Sequence, residues 1–426
     1  VTARAQRLAP WAVLGVLTVA LVAVAVVVVP WSTYPGVDPM PARDFTSAQL
    51  ARDTAFHADL RVWTYPRVAL VLLVTLALGL TPAGGRLVAW CGRRLGGSWV
   101  ATVVGGTVAL TAVTTVVALP LSAAAEVVLR RYGLSTQAWP AWSLDVLKAT
   151  ALSAVVTALG LVLVVGFARR WPSGWWLPAA AAAAALVVIG SVLYPLVVEP
   201  LTNDFRSMPP SAQRTALLQL AARDGQPVRD VLVADASRRT TAENAYVSGL
   251  GATRRLVVYD TLLRRADERE VELVVAHELG HVAHHDVARG TALGALGAAW
   301  AVVALALLSR RRWWWRRSGA AGVGDPRAVA LLLALLSAGS LLAAPASTLV
   351  SRRIEASADV HALELTRDPV TFAAMQRQLA VANISDLQPR WYRELLFETH
   401  PSPPWRVALA RAWAQQHDLP APPPVR

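Results

Sequence analysis

The sequence predicts a mainly α-helical, polytopic membrane protein. About seven transmembrane helices carry a small α+β region outside the bilayer. Three observations predict this. Hydrophobic residues make up 55% of the 426-residue chain and charged residues only 16%, where a soluble domain runs near a quarter charged. Seven apolar stretches approach or exceed the roughly 20 helical residues that cross a bilayer. Most of the acids, and all but one of the eight histidines, lie in the remaining stretches 199–289 and 351–426.

The apolar stretches are 11–29, 68–83, 99–118, 144–167, 175–198, 290–308 and 328–350. The second is the shortest. Arg4 and Arg7 precede the first as in a signal peptide, but no small-residue cleavage site follows. It therefore reads as a membrane anchor. The run RRRWWWRR at 310–317 marks an interface, with Trp at the headgroup layer and Arg beyond it. Four regions follow: 1–198 with five helices, 199–289, 290–350 with two helices, and 351–426. Two crossings return the chain to the side it left, so the two polar stretches can form one unit.

The net charge is +13, and Lys148 is the only lysine. Many arginines flank apolar segments, which favours lipid headgroups over nucleic acid as the partner. A single cysteine, Cys91, excludes an intramolecular disulfide and a multi-cysteine metal site. Any ion must be held by His and carboxylates.

Within the first polar stretch, 228–237 is apolar and β-branched and reads as a strand, and 244–260 reads as two strands across a Gly-containing turn. Asp267 and Glu270 have the spacing of a helix start. Val271, Val274, Val275 and Leu279 keep helical spacing, so a helix begins near Glu268 and carries HELGHVAHHD at 277–286. On it His277 and His281 lie one turn apart on one face, and Glu278 is beside the first. Two imidazole ligands and an adjacent carboxylate base are the His-Glu-x-x-His logic of zinc peptidases. His284 cannot join them, because seven residues span roughly 10 Å of helix axis. The third ligand must come from elsewhere. The best source is SRRIEASAD at 351–359, a helix in which Glu355 and Asp359 share a face. Glu355 completes a His₂Glu site for one Zn²⁺, and Asp359 orients a ligand imidazole.

At this point the chain resembles the type I CAAX prenyl protease family of membrane zinc metalloproteases, whose bacterial relatives include heat-shock membrane proteases. HELGH, two membrane segments and SRRIEASAD carry the resemblance, together with HPSPPWR at 400–406. It implies that His400 stabilises the tetrahedral intermediate and that Arg406 holds a substrate carbonyl or a neighbouring carboxylate. It also implies that NAYVSGL is the edge strand that pairs with substrate, giving Asn244, Ala245 and Tyr246 a β-augmentation role. VAHHD departs from the eukaryotic members. His284 and His285 receive no function beyond solvent or headgroup contact, and Asp286 is expected only to orient the helix end.

The expected activity is zinc-dependent endopeptidase cleavage of membrane-associated proteins, either lipid-modified or misfolded, in the cell membrane. Glu278 is the base. The rival readings are a non-proteolytic zinc scaffold, which has no need of Glu278, and a transporter, whose spans carry ionisable residues that these spans almost entirely lack. The two indications of sidedness conflict. Thirteen arginines in one set of short loops against six basic residues in the other put the polar stretches outside, whereas the family places them in the cytosol.

Overall fold

The computed structural model describes residues 3–425 except 33, 35, 250, 252 and 253, with side chains from residue 8 onward. Leu250 of the expected edge strand and the side chains of Arg4 and Arg7 lie outside the described residues. Helix α1 (Ala3–Val28) leads through the short α2 (Pro41–Asp44) to α3 (Ser47–Gly79). Helix α4 (Pro82–Arg94) joins α3 to α5 (Trp99–Arg131), which is followed by α6 (Trp139–Arg170) and α7 (Trp176–Leu193). Helix α7 runs on through a π-helical turn, Tyr194–Val198, into α8 (Glu199–Thr202).

The first polar stretch follows: β1 (Phe205–Ser207), α9 (Ala212–Arg223), β2 (Asp230–Ala234), β3 (Ala245–Ser248), β4 (Arg255–Tyr259), α10 (Asp260–Arg265) and α11 (Glu268–Ala283). Helices α12 (Asp286–Leu308), α13 (Arg312–Ser318) and α14 (Val329–Thr366) form the excursion back through the membrane. The chain closes with α15 (Pro369–Asn383), α16 (Trp391–Leu396) and α17 (Pro403–Gln416).

Among the described residues seven helical segments are long and apolar enough to cross a membrane, and each expected stretch overlaps one of them; the second, 68–83, runs four residues past the end of its span at Gly79. The helices are longer than the apolar runs. Helix α3 has 33 residues, although its apolar run begins only at 68. Its polar half is helical because Thr46 and Gln49 form a capping box at its start and Phe56 and His57 are buried along it. At 1.5 Å per residue α3 spans about 50 Å, against about 30 Å of hydrocarbon, so roughly 20 Å stands outside the bilayer. Likewise SRRIEASAD is not a separate helix after the seventh span. It is the continuation of α14, a helix of 38 residues.

One end of the bundle gathers both polar stretches. Arg52 Nη2 donates to the Tyr132 carbonyl (3.1 Å), Thr240 Oγ1 to the Leu134 carbonyl (2.9 Å) and Thr136 Oγ1 to the Ser237 carbonyl (2.9 Å). These bonds place the loop after α5 and the start of α3 beside the first polar stretch, as seven crossings require.

The sheet has the order β1-β2-β4-β3, with β2 parallel to β4 and the other pairs antiparallel. The expected strand and two-stranded unit are present. Strand β1, of three residues, has no sequence signal because period-2 alternation needs a longer run. One sheet face (Val231, Ala245, Leu256, Val258) packs with Leu217, Leu220, Val271, Val275, Leu279 and Phe372 in a single core around α11.

In the membrane, α3 and α14 cross closely at Gly79. A Cβ there would lie 2.7 Å from the Ala330 carbonyl oxygen and also meet Ala334 Cβ. Small residues at such a crossing allow the backbones to approach. Gly79→Leu is therefore expected to destabilise the bundle by about 1–3 kcal/mol through overpacking. A lowered midpoint of thermal unfolding in detergent checks this, and an unchanged midpoint contradicts it.

Candidate metal centre

Helix α11 starts from a reciprocal cap. Asp267 accepts from the Glu270 N–H (2.8 Å), and Glu270 accepts from the Asp267 N–H (3.1 Å). Its apolar face is buried in the core, so its remaining face points His277, Glu278 and His281 toward α14. Gly280 sets how near the two helices come. A Cβ at this position would lie 3.1 Å from Ala358 Cα and 3.2 Å from the Ala358 carbonyl oxygen. The HELGH glycine and the EASAD alanine thus meet backbone to backbone, and Glu355 reaches the histidines as a result.

Three lone-pair donors converge. His277 Nε2 lies 3.2 Å from Glu355 Oε2, and His281 Nε2 lies 3.7 Å from Glu355 Oε1. The two Nε2 atoms face each other at 3.3 Å. The other nitrogen of each ring is occupied: His277 Nδ1 is 2.9 Å from Asp359 Oδ1, and His281 Nδ1 is 2.9 Å from Asp286 Oδ2. Each carboxylate accepts a hydrogen bond from the Nδ1–H, so the neutral imidazole carries its lone pair on Nε2. Two acceptors at 3.3 Å cannot hydrogen-bond to each other. At zinc–nitrogen bonds of about 2.05 Å, tetrahedral geometry separates two ligand nitrogens by roughly 3.3 Å. Glu355 Oε2 is buried with no hydrogen-bond partner. The donor set therefore fits a divalent ion with one position left over.

Around this triad the charges are fixed from behind. Arg406 Nε donates to Asp359 Oδ2 (2.7 Å), and its Nη2 donates to Asp359 Oδ1. Asp359 is fully buried. Arg406 thus lies behind His277, holding its carboxylate partner. His400 Nε2 lies 3.3 Å from Glu355 Oε2 on the open side, and His400 Nδ1 pairs with Thr399 Oγ1 (3.0 Å). Burial raises the Glu278 carboxyl above the usual carboxylate range, against the pull of His277 and His281. Burial opposes charge on His281 too, but Asp286 and Glu355 outweigh it and lift its pKa to about 10 without an ion, so a proton and a cation compete for the same Nε2 lone pair.

The expected edge strand is β3, whose outer side has no strand partner among the described residues. The Tyr259 N–H donates to the Asn244 carbonyl (3.0 Å), and Tyr246 pairs with Val257. Antiparallel alternation then turns the backbone polar groups of Asn244 and Tyr246 into the sheet, and those of Ala245 and Val247 outward. Asn244 Oδ1 covers the outward Ala245 N–H (2.9 Å). Ala245 buries its methyl in the core, and Tyr246 packs edge-on to Tyr259.

Sequence reasoning underrated one residue. Asp286 was expected only at the helix end, yet it holds His281. Its signal is the break at His285, which adopts a left-handed φ of 57° and turns the start of α12 back toward α11. His284 also departs from expectation, resting 3.3 Å from Ser357 Oγ and edge-on to His361 rather than facing solvent or headgroups alone.

A second group, Asp53, His57 and Asp386, has metal-ligand spacing. There Arg393 Nη1 lies 3.0 Å from His57 Nδ1. Arginine can only donate, so the ring proton sits on Nε2, 3.0 Å from the Ile384 carbonyl. No lone pair of His57 then remains for an ion.

The family comparisons agree with this geometry. The profile described as "Peptidase family M48" matches residues 211–414, and that described as "CAAX prenyl protease N-terminal, five membrane helices" matches 51–204. The "uncharacterized metalloprotease YhfN" of Bacillus subtilis is 30% identical over 301 residues, which cover 70% of this chain and 71% of that protein. The chain belongs to peptidase family M48. It is a multi-pass integral membrane metallopeptidase, and the family implies a metal ion. "CAAX prenyl protease 1" of Saccharomyces cerevisiae is 28% identical over 174 residues, covering 40% of this M48 peptidase but only 38% of its own length. The crystal structure of S. mikatae Ste24p has the same fold, with a TM-score of 0.76 over 94% of this chain and 98% of that one at 18% identity.

Outer partners of ligand histidines typically contribute 10–100-fold to metal affinity. Asp286→Ala is expected to weaken metal binding by about that factor while the helical content stays intact. Competition against a chelator of known affinity measures it; unchanged affinity would remove Asp286 from the site.

Proposed function

We propose that this M48 peptidase is a zinc endopeptidase that cleaves membrane-associated proteins, lipid-modified or misfolded, in the cell membrane. The observation that carries the reading is the pair of Nε2 lone pairs facing each other at 3.3 Å, with the unpartnered Glu355 oxygen beside them. In this reading His277, His281 and Glu355 hold one zinc ion, with Asp359 and Asp286 fixing the imidazoles. Residues 199–289 and 351–426 then act as one peptidase unit between the membrane regions 1–198 and 290–350.

When bound, the ion supplies Lewis acidity to the attacking water and the scissile carbonyl. Glu278 takes the proton from that water and delivers it to the leaving amine. Burial raises its pKa above the ordinary carboxylate value, which makes it a stronger base toward that water. His400, with Nδ1 paired to Thr399, directs its Nε2 side toward the oxyanion that develops. Of the two roles the family resemblance allows Arg406, the neighbouring carboxylate fits its position: it keeps Asp359 ionised and through it holds His277. An extended substrate pairs along β3. Asn244, Ala245 and Tyr246 shape that edge, the first by its side chain over the Ala245 N–H, and Val247 adds an outward N–H and carbonyl. The name of the yeast relative, CAAX prenyl protease 1, supports a lipid-modified substrate.

Glu278→Gln is expected to keep its zinc and to lose cleavage of a peptide or casein substrate by at least about 100-fold. Glu355→Ala should lose both metal and activity. Full proteolysis by Glu278→Gln would falsify the assignment. Val247→Pro, which removes an edge N–H, should raise KM for peptides with metal content unchanged. An unaltered KM would move the substrate off β3.

A further inference from the structure

The end of the bundle away from the metal centre is built from α4, the end of α6 with its turn into α7, and the stretch 309–328 that contains α13. These pieces pack on one another. A Cβ at Gly85 of α4 would lie 3.0 Å from the Ser318 carbonyl oxygen, and Arg169 Nη1 donates to the Gly324 carbonyl (3.4 Å). Val88, Leu161, Trp315 and Ala328 share one apolar cluster beneath them. The three pieces therefore form a single surface.

That surface is almost purely basic. Three arginines on α4, two at the end of α6 and six between 310 and 327 are all exposed, and they stand with one acid, Asp325. The chain as a whole has a net charge of +13, so ten of its thirteen excess positive charges lie here. At the other end the arginines have acids beside them: Arg130 pairs with Glu126 (2.9 Å), Arg131 with Asp59 (3.4 Å), and Arg377 and Arg411 with Asp44. Tryptophans border the basic surface. Arg94 lies over Trp90 (5.6 Å), Arg170 over Trp171 (5.2 Å) and Arg317 over Trp313 (5.3 Å), and all three indoles are exposed. Indole at the headgroup layer with a guanidinium stacked on it is the arrangement that meets a lipid phosphate.

We propose that this basic end engages anionic headgroups of the cytoplasmic leaflet, which sets the peptidase unit on the extracytoplasmic side of the membrane. Anionic lipid attracts the exposed guanidiniums, and a potential negative inside opposes carrying them across. Helix α3 crosses the bilayer, so the number of crossings is odd and the two ends lie on opposite sides. The polar stretches 199–289 and 351–426 each exceed the roughly 60 residues over which loop charge governs orientation. Their own arginines therefore do not offset the basic end. This placement is opposite to the one the family resemblance implies. It rests on the cell-membrane setting proposed above and is independent of whether peptides are cleaved.

The test is labelling of single cysteines by a membrane-impermeant maleimide, in spheroplasts and in inverted vesicles of an expressing bacterium. On a Cys91→Ala background, Ala321→Cys reports the basic end and Gln388→Cys the peptidase end; both positions are exposed. Gln388→Cys is expected to react in spheroplasts and Ala321→Cys only in inverted vesicles. The reverse pattern, or reaction of both in both preparations, overturns the proposal. The headgroup partner is read from the midpoint of thermal unfolding of the purified full chain in detergent with phosphatidylglycerol or phosphatidylcholine added. A saturable rise with phosphatidylglycerol alone is expected. The variant Arg311→Gln/Arg312→Gln/Arg316→Gln/Arg317→Gln should weaken the apparent affinity at least about tenfold, and Lys at the same four positions should hold it within about threefold. An equal rise with phosphatidylcholine, or a Gln variant that binds as well as the parent, overturns the headgroup contact. Should the Gln variant fail to fold, the comparison of the two lipids on the parent chain decides.

Discussion

The close crossing of α11 and α14 at Gly280 and Ala358 is the constraint on which the candidate metal centre depends. Two histidines one turn apart can supply only two ligands, and the third must come from a helix that touches theirs almost without side chains between. A Cβ at position 280 would press on the Ala358 backbone from 3.1–3.2 Å. Separating the helices by a side chain's width would take Glu355 out of range of both nitrogens. The core under α11, where Val271, Leu273, Val275, Ala276 and Leu279 are all 0% exposed, prevents the helix from rolling away from that contact.

Given the crossing, electrostatics decides what the converging groups can do. An imidazole pair with unassigned protons could equally form a hydrogen bond. Asp359 and Asp286 disfavour that option by accepting hydrogen bonds from the Nδ1–H groups, which leaves the lone pairs on Nε2. Asp359 could not remain ionised at zero exposure without help. Isolated buried carboxylates neutralise, and Arg406 supplies the compensating charge through two donors. Arg406 thus holds Asp359, and Asp359 holds His277. Removing Arg406 or Asp359 leaves the other's buried charge unpaired, which typically costs several kcal/mol.

Much of this was legible in the sequence, for identifiable reasons. The spans announce themselves through apolar length. Helix α11 announces itself through Asp267, Glu270 and the spacing of Val271 to Leu279, and His277 and His281 through turn geometry. What the sequence hid was mostly set by tertiary contact. The polar half of α3 reads as a loop because its helix is stabilised by Phe56 and His57 packing against distant residues. His57, for example, bonds the carbonyl of Ile384, 327 positions away. The bond from Asp286 to His281 depends on one left-handed residue, His285; histidine adopts that conformation more often than most residues, but four histidines in the cluster leave the position of the break unmarked. Strand β1 is too short to carry a period. The outward turn of Val247 rather than Tyr246 follows from register, which is set by pairing with β4.

The continuity of α14 has a further mechanical consequence. Glu355 is not on a loop or a separate domain; it sits on the same helix that crosses the membrane, beyond Pro345. A proline within a helix removes a backbone hydrogen bond and favours bending. Ten residues separate Pro345 from Glu355, about 15 Å of axis, so a 10° change of bend would carry Glu355 roughly 2.6 Å. Metal–ligand distances tolerate only about 0.2 Å. The bend must therefore be held, and the holding contacts lie between the two residues. Thr348 Oγ1 donates to the Leu395 carbonyl (2.8 Å), and Arg352 Nη1 donates to the carbonyls of Glu394 and of Glu398 (2.7 Å to the latter). All three acceptors lie in or just after α16, immediately before the loop that carries His400. The same clamp thus fixes Glu355 and His400 relative to each other, so that a membrane helix with a proline in it can still present a carboxylate to sub-ångström tolerance.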